Sequence, residues 1–428
     1  MSAAAAPHPF AIRDFRLYWV TRLASTVAQM SMVIVIGWQV YDLARRSGMD
    51  VKDASLQLGL IGVVQFVPLF VLTLVTGWVA DRLDRRVIAR ASIGLETLCA
   101  LTLAWLSWTG DVTLLALFLV AGLLGVARAF AAPALSALSP NLVPRETLPR
   151  AIAMSSIAWQ SGAIFGPALG GYLYAAAPHL PYTVAAVLFT LSLLCMFMIR
   201  PIERTEMGSA RKPWQQMIDG LHYVRKNRLV LGAISLDLFA VLLGGATAML
   251  PVFARDILHA GPTGLGHLRA APAVGATAAA IWFAWKPLKR NVGAKMLVAV
   301  GVFGAATIVF GLSRWMPLSL LCLVLLGAAD MLSVFVRQSL IQLYTPNEMR
   351  GRVGAVSTLF ISASNELGEA ESGFLAALIG PVVAIVAGGA GAIAVTLLWA
   401  KWFPELRLAR SFEPPNLGDT NKIMETTT

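Results

Sequence analysis

At 428 residues with 57% apolar and 13% charged side chains, the chain carries about half the roughly 25% charge of a soluble protein. A mean hydropathy of +0.71 excludes a large soluble or disordered domain and leaves an integral membrane protein. A net charge of +11 would point to nucleic acid in a soluble chain, but here the charges flank apolar runs, so nucleic acid is not an expected partner.

Apolar runs predict helices at about 14–41, 56–80, 87–108, 112–138, 151–176 and 181–199, then at about 229–254, 264–285, 294–312, 317–343, 352–377 and 380–402. Lipid offers backbone groups no partner, and these runs are too long for barrel strands, so the expected fold is an all-α membrane protein of twelve spans. They fall into a half over 1–199, a linker over 200–228, a second half over 229–402 and a polar tail over 403–428. Residues 1–10 lack the charged start and apolar run of a cleavable signal, so the first span is expected to act as its own insertion signal. Of the 34 Lys and Arg, 25 lie on the side holding both ends, 5 on the other and 4 within spans, which places both termini in the cytoplasm by the positive-inside rule. In the linker, Trp214, Met217, Ile218, Leu221 and Val224 recur at helical spacing, as expected of an amphipathic helix on the membrane surface or of simple linker packing. Cys99, Cys195 and Cys322 sit inside apolar runs, and the five histidines fall in loops, tails or span ends, so no disulfide framework or metal site is read, and no cofactor.

Charged residues inside spans are costly and mark function or internal pairing. Those here are Arg22, Glu96, Arg128, Asp237, Arg269, Asp330, Arg337, Glu366, Glu369 and Glu371. Asp330 and Arg337, seven apart, share a helix face, as do Glu366 and Glu369. The halves also echo each other: Pro144, Glu146 and Arg150 recur as Pro346, Glu348 and Arg352, and Gly166 and Gly171 as Gly368 and Gly373, all 202 residues later. Arg82, Arg85 and Arg86 meet Lys286, Lys289 and Arg290 at an offset of 204. Such repeats are a mark of transporters.

The loop Gly77-Trp-Val-Ala-Asp81-Arg82-Leu-Asp84-Arg85-Arg86 is similar to the signature loop between helices two and three of the major facilitator superfamily, except that Asp84 stands where a second glycine is usual. The fifth span, Gly162-Ala-Ile-Phe-Gly166-Pro167-Ala-Leu-Gly170-Gly171, resembles that superfamily's exporter and antiporter motif. Arg128 follows its fourth-helix motif, with Ala131 and Ala132 in place of the usual glutamine and glycine. The stretches around Asp330, Pro346 and Glu366 resemble the branch containing the bacterial enterobactin exporter.

The resemblance implies two six-helix halves rocking around a cavity lined by helices one, four, seven and ten. It makes Gly77, Asp81, Arg82, Arg85 and Arg86 a gate, in which the arginines pair with acids across the cytoplasmic interface, against the simpler reading of a charged anchor. It makes Gly162, Gly166, Pro167, Gly170 and Gly171 a hinge, against ordinary tight packing. Arg22, Arg128 and Arg337 become candidates for binding an anionic substrate, unless they pair internally with Asp237 and Asp330. Asp237, Glu366, Asp330 and Glu369 are candidates for proton coupling, with Asp237 and Glu366 placed first. The implied function is secondary export of a small molecule from the cytoplasm across a bacterial inner membrane, siderophore-like and exchanged for protons. A broad drug efflux pump and a membrane receptor or scaffold are the alternatives. No nucleophile, base or metal constellation marks an enzyme.

Overall fold

A computed structural model describes residues 8–82, 84–201, 213–286, 288, 290–346 and 349–409. The first half contains α1 (Arg13–Arg46), α2 (Val51–Arg82), α3 (Arg85–Thr109), α4 (Leu114–Leu138), α5 (Leu148–Ala176) and α6 (Leu180–Met198). The linker helix α7 (Pro213–Lys226) leads to α8 (Arg228–Leu243), α9 (Gly261–Trp285), α10 (Val292–Leu312), α11 (Met316–Tyr344), α12 (Arg350–Ile379) and α13 (Pro381–Trp402). A helix meets every predicted span within a few residues, and ends fray or are capped where the sequence turns polar. Gly110, at φ +83°, closes α3 in the left-handed conformation, and Thr113 Oγ1 accepts from Ala116 N–H to start α4.

Among the described residues nine helices are long and apolar enough to cross a membrane. The long helices outside that set, α5, α9 and α12, are the ones whose hydropathy is lowered by glycine, proline and intramembrane polar groups.

One element departs from expectation. The seventh span was expected to run unbroken to about residue 254, but α8 stops at Gly244-Gly245, passes through a tight turn at Ala246–Met249, and resumes as a wider coil at Phe253–Ile257. Gly245 sits so close to α12 that a Cβ there would lie 2.5 Å from Gly368 O, so close packing rather than hydropathy sets the break.

Within the halves α1 packs on α5 and α6, and α8 packs on α12 and α13. The halves meet along two helix pairs, α2 with α12 and α5 with α9. Both crossings depend on missing side chains. Gly59 faces Gly373, where a Cβ on Gly59 would lie 2.9 Å from the Gly373 Cα. Gly171 faces Gly266 and Pro262, with only 3.1 Å from an added Cβ to the Gly266 Cα. The 202-residue repeat therefore has a physical meaning: Gly171 and Gly373 occupy corresponding crossings between halves, while Gly166 meets α1 and Gly368 meets α8, the first helix of each half.

The linker helix docks by one face. Met217, Tyr223 and Val224 pack with Val230, Ile234, Ile341, Val353 and Val356, and Gly220 lies against the Arg352 backbone. Ile218 and Leu221 remain exposed. The helix thus packs as a linker while keeping a second apolar strip.

Adding a methyl at a crossing should prevent that side of the interface from closing. Gly373→Ala is expected to fold and insert but to raise the labelling rate of a cysteine placed at Ser47, on the side away from the chain ends, with transport reduced. Labelling at the wild-type rate would show that the crossing tolerates separation by a methyl group.

Candidate functional site: a buried charge centre between helices

Asp237 of α8 and Arg337 of α11 form an ion pair inside the second half, with side chains 5% and 1% exposed. A cavity beside them is lined by Asp237, Ala240, Phe303, Ala329, Asp330 and Ser333. Asp330, on the same face of α11 as Arg337, lines this cavity with Asp237, so a second carboxylate stands near the pair. Arg337 Nε has no hydrogen-bond partner among the described residues, nor does Arg22 Nε in α1. Of the alternatives for Arg337, internal pairing with Asp237 is the arrangement present in this conformation.

The break in the seventh span is held by a second charge cluster. Arg269 of α9 donates to the Thr247 carbonyl at 3.1 Å and pairs with Glu369 of α12 at 3.2 Å. Glu369 is therefore neutralised by Arg269. The side chain of Glu366 lies outside the described residues, so the expected sharing of a proton between these two acids has no geometry here.

In the first half Arg128 donates to Gln65 Oε1 of α2 at 3.3 Å, within electrostatic range of Glu96. Glu96, only 2% exposed, accepts from Gln29 of α1 at 3.5 Å. Glu96 is a buried polar contact between α3 and α1, as an acid on an outer helix has to be.

The side chains of Gly77, Asp81 and Arg82 lie outside the described residues. The rest of the signature loop is clear, and it corrects one expectation. Asp84, at φ −64°, needs none of the freedom a glycine would give. It is the N-cap of α3, accepting from Arg86 N–H at 2.9 Å. The Arg86 guanidinium hydrogen-bonded to it holds the Asp84 carboxyl below the ordinary carboxylate range. With the folded pKa depressed, the cap contributes above the unfolded value of about 3.9 and is lost only as pH falls through the folded value. Arg85 donates to Ala137 O and Arg86 to Ile199 O, with Arg90 on Met196 O. Instead of reaching acids across the interface, these arginines bind the negative carbonyl ends of α4 and α6 within their own half.

A network the sequence reading missed ties the halves on the side away from the chain ends. Asp42 of α1 pairs with Arg46 at 2.8 Å and with Arg255 at 3.1 Å. Arg45 pairs with Asp256 at 3.3 Å, and Tyr41 Oη donates to Asp256 as well. Charges at span ends look like ordinary anchors in a sequence, and nothing in their spacing reveals that Asp42 and Arg255 meet. Lys52 on Leu378 O and Tyr172 with His267 Nε2 add to this side, while Gln160 donates to Thr277 Oγ1 nearer the middle of α5 and α9. The described contacts thus close the molecule on the side opposite its termini.

The same assembly of helices is found among known transporters. The profile of the Major Facilitator Superfamily matches residues 23–369. The chain belongs to that superfamily. It is 27% identical over 410 residues to the enterobactin exporter EntS of Citrobacter koseri, covering 95% of each chain, and 26% identical over 406 residues to that of Escherichia coli O1:K1, covering 94% of each. Among solved structures, a peptide transporter superposes with a TM-score of 0.72 at 13% identity over 94% of this chain and 96% of that one. A D-xylose-proton symporter gives 0.68 at 16% identity, over 92% and 98%. At such identities the structural matches establish the fold alone. The protein is a multi-pass membrane transporter of small molecules and not an enzyme.

Removing one member of the buried pair should leave a charge stranded. Asp237→Asn or Arg337→Gln alone is expected to lower stability by about 3 to 5 kcal/mol, and the double variant by less than their sum. Thermal unfolding in detergent measures this, and additive losses would mean that the two side chains act independently.

Proposed function

We propose that this transporter exports an anionic, siderophore-like compound from the cytoplasm in exchange for protons, by alternating access in a bacterial inner membrane. The buried Asp237–Arg337 pair beside Asp330 carries the reading. One guanidinium cannot neutralise two carboxylates, so a proton or a substrate anion changes how the three share charge. The stranded Nε donors of Arg337 and Arg22 favour an anion as substrate, since planar guanidinium forks suit carboxylate and catecholate oxygens. The near full-length similarity to exporters of enterobactin supports the direction of transport and the substrate class.

The two halves, 1–199 and 229–402, are the rocking bodies, and the docked linker helix moves with the second. Both termini lie in the cytoplasm, as the excess of Lys and Arg on their side requires. The arrangement tied on the far side is then the state open to the cytoplasm and ready to load substrate. The hinge is α5, whose glycines Gly162, Gly166 and Gly170 seat it on α1 while Gly171 bears on α9, with Pro167 removing one internal hydrogen bond between them. Gly77, Asp81 and Arg82, at the end of α2, form the cytoplasmic gate beside a turn anchored by Asp84, Arg85 and Arg86. A proton moving through about 100 mV supplies about 2.3 kcal/mol for uphill export.

The coupling role falls first on Asp237, paired with Arg337, and on Asp330, which lines the same cavity as Asp237; Glu366 is the further candidate, and Glu369 positions Arg269. Reconstituted in liposomes with a pH gradient, the wild-type protein is expected to move the catecholate siderophore enterobactin uphill. Asp330→Asn is expected to abolish uphill movement while preserving exchange of labelled substrate between the two sides. Full uphill export by Asp330→Asn, Asp237→Asn and Glu366→Gln alike would remove proton coupling from these residues.

A further inference from the structure

The repeat that gives each half a basic loop leaves an asymmetry. In the first half Arg85 and Arg86 are occupied by helix carbonyls. The basic loop after α9 differs: Lys286, at the place of Arg82, and Arg290, at the place of Arg86, are exposed, as is Lys295 one turn into α10, and none has an ion pair among the described residues. Lys289 lies outside the described residues. The sequence around them is also free of acids, with no Asp or Glu between Asp256 and Asp330. Glu405, on the short turn that docks against Gly293, is taken by Arg228 at 2.7 Å.

These cations stand at the mouth of an apolar groove between α9, α10 and α11. It has a volume of about 570 Å³, with walls that include Trp282, Asn291, Lys295, Val302, Leu325 and Leu332. The Lys286 ammonium lies 4.8 Å above the ring of Trp282, which holds it over the groove's edge. From Asn291 to Val302 the helix rises about 16 Å, close to half of the roughly 30 Å hydrocarbon core. The groove is thus one leaflet deep, charged where lipid headgroups lie and apolar below. Exposed Trp282 and Trp285 fit that level, where aromatic rings bridge water and lipid.

We propose that this groove is a binding site for one acidic phospholipid, with its phosphate held by Lys286, Arg290 and Lys295 and an acyl chain lying along α10 against α11. The site is separate from the Asp237–Arg337 centre, and its occupancy does not depend on what the protein transports. An acidic rather than a zwitterionic lipid is required, because three cations with no ion pair among the described residues attract net negative headgroups and gain little from phosphocholine.

Native mass spectrometry of the purified full chain tests this with phosphatidylglycerol and phosphatidylcholine of identical acyl chains. One phosphatidylglycerol per chain is expected to survive at activation energies that strip phosphatidylcholine. Lys286→Gln, Arg290→Gln and Lys295→Gln are each expected to weaken its binding by roughly five-fold. Val302→Trp, which fills the groove and leaves every charge in place, is also expected to weaken it. Millimolar inorganic phosphate should not displace the lipid. Equal retention of the two lipids by the wild-type protein overturns the proposal without reference to any variant. Displacement by phosphate would make this a free-anion site and overturn it as well, as would unaltered binding in all three charge variants.

Discussion

A charge in the middle of a bilayer has to be neutralised by the protein around it, and that constraint organises this molecule. Arg337 cannot reach water at 1% exposure, so α11 must present it to α8 where Asp237 waits. Arg269 satisfies a carbonyl freed by the broken seventh span and is itself held by Glu369, which fixes α9 and α12 about the break. Each such group fastens two helices that hydrophobic forces alone would not align, since lipid is as apolar as leucine. The same cost makes the centre responsive, because adding one proton or one anion upsets a balance that the low-dielectric surroundings magnify.

Motion between the halves follows from what joins them. Their crossings rest on glycine backbones at Gly59–Gly373 and Gly171–Gly266, which make flat surfaces that part without disentangling side chains. The remaining ties include the ion pairs Asp42–Arg255 and Arg45–Asp256, partly buried near the ends of the spans, and the hydrogen bonds of Tyr41, Lys52, Gln160 and Tyr172. The most deeply buried ion pair, Asp237–Arg337, lies inside one half, and the ion pairs between the halves lie nearer the surface. The anchoring of Arg85 and Arg86 on α4 and α6 fits this division, because it stiffens the first half and leaves the interface free.

The helices were legible in the sequence because apolar length is a direct consequence of bilayer thickness, and the repeat was legible because Gly166, Gly171, Gly368 and Gly373 keep one offset. The break at Gly244-Gly245 was not, since it is set by Gly368 and Ser372 on a helix more than a hundred residues away. Asp330 and Arg337 could be put on one face by counting, and Asp237 and Asp330 could both be named as partners for Arg337, but only the packing of α8 on α11 selects Asp237. Asp84 looked like a defect in a familiar loop and proved to be a helix cap, which local hydrogen bonding explains and a pattern does not. The outer network was missed for the opposite reason: Asp42, Arg45, Arg255 and Asp256 are unremarkable where charges are already expected.

The central claim is that two stiff halves exchange closure on one side for closure on the other. Spin labels at Ser47 and His259 report on the side away from the termini, and labels at Asn141 and Leu343 report on the side of the termini. Pulsed dipolar spectroscopy in lipid nanodiscs, with both pairs followed as substrate and pH are varied, measures the exchange. The account predicts that the first distance lengthens as the second shortens, with the two populations moving in opposite proportion. Distances that stay fixed, or that lengthen together, would contradict it.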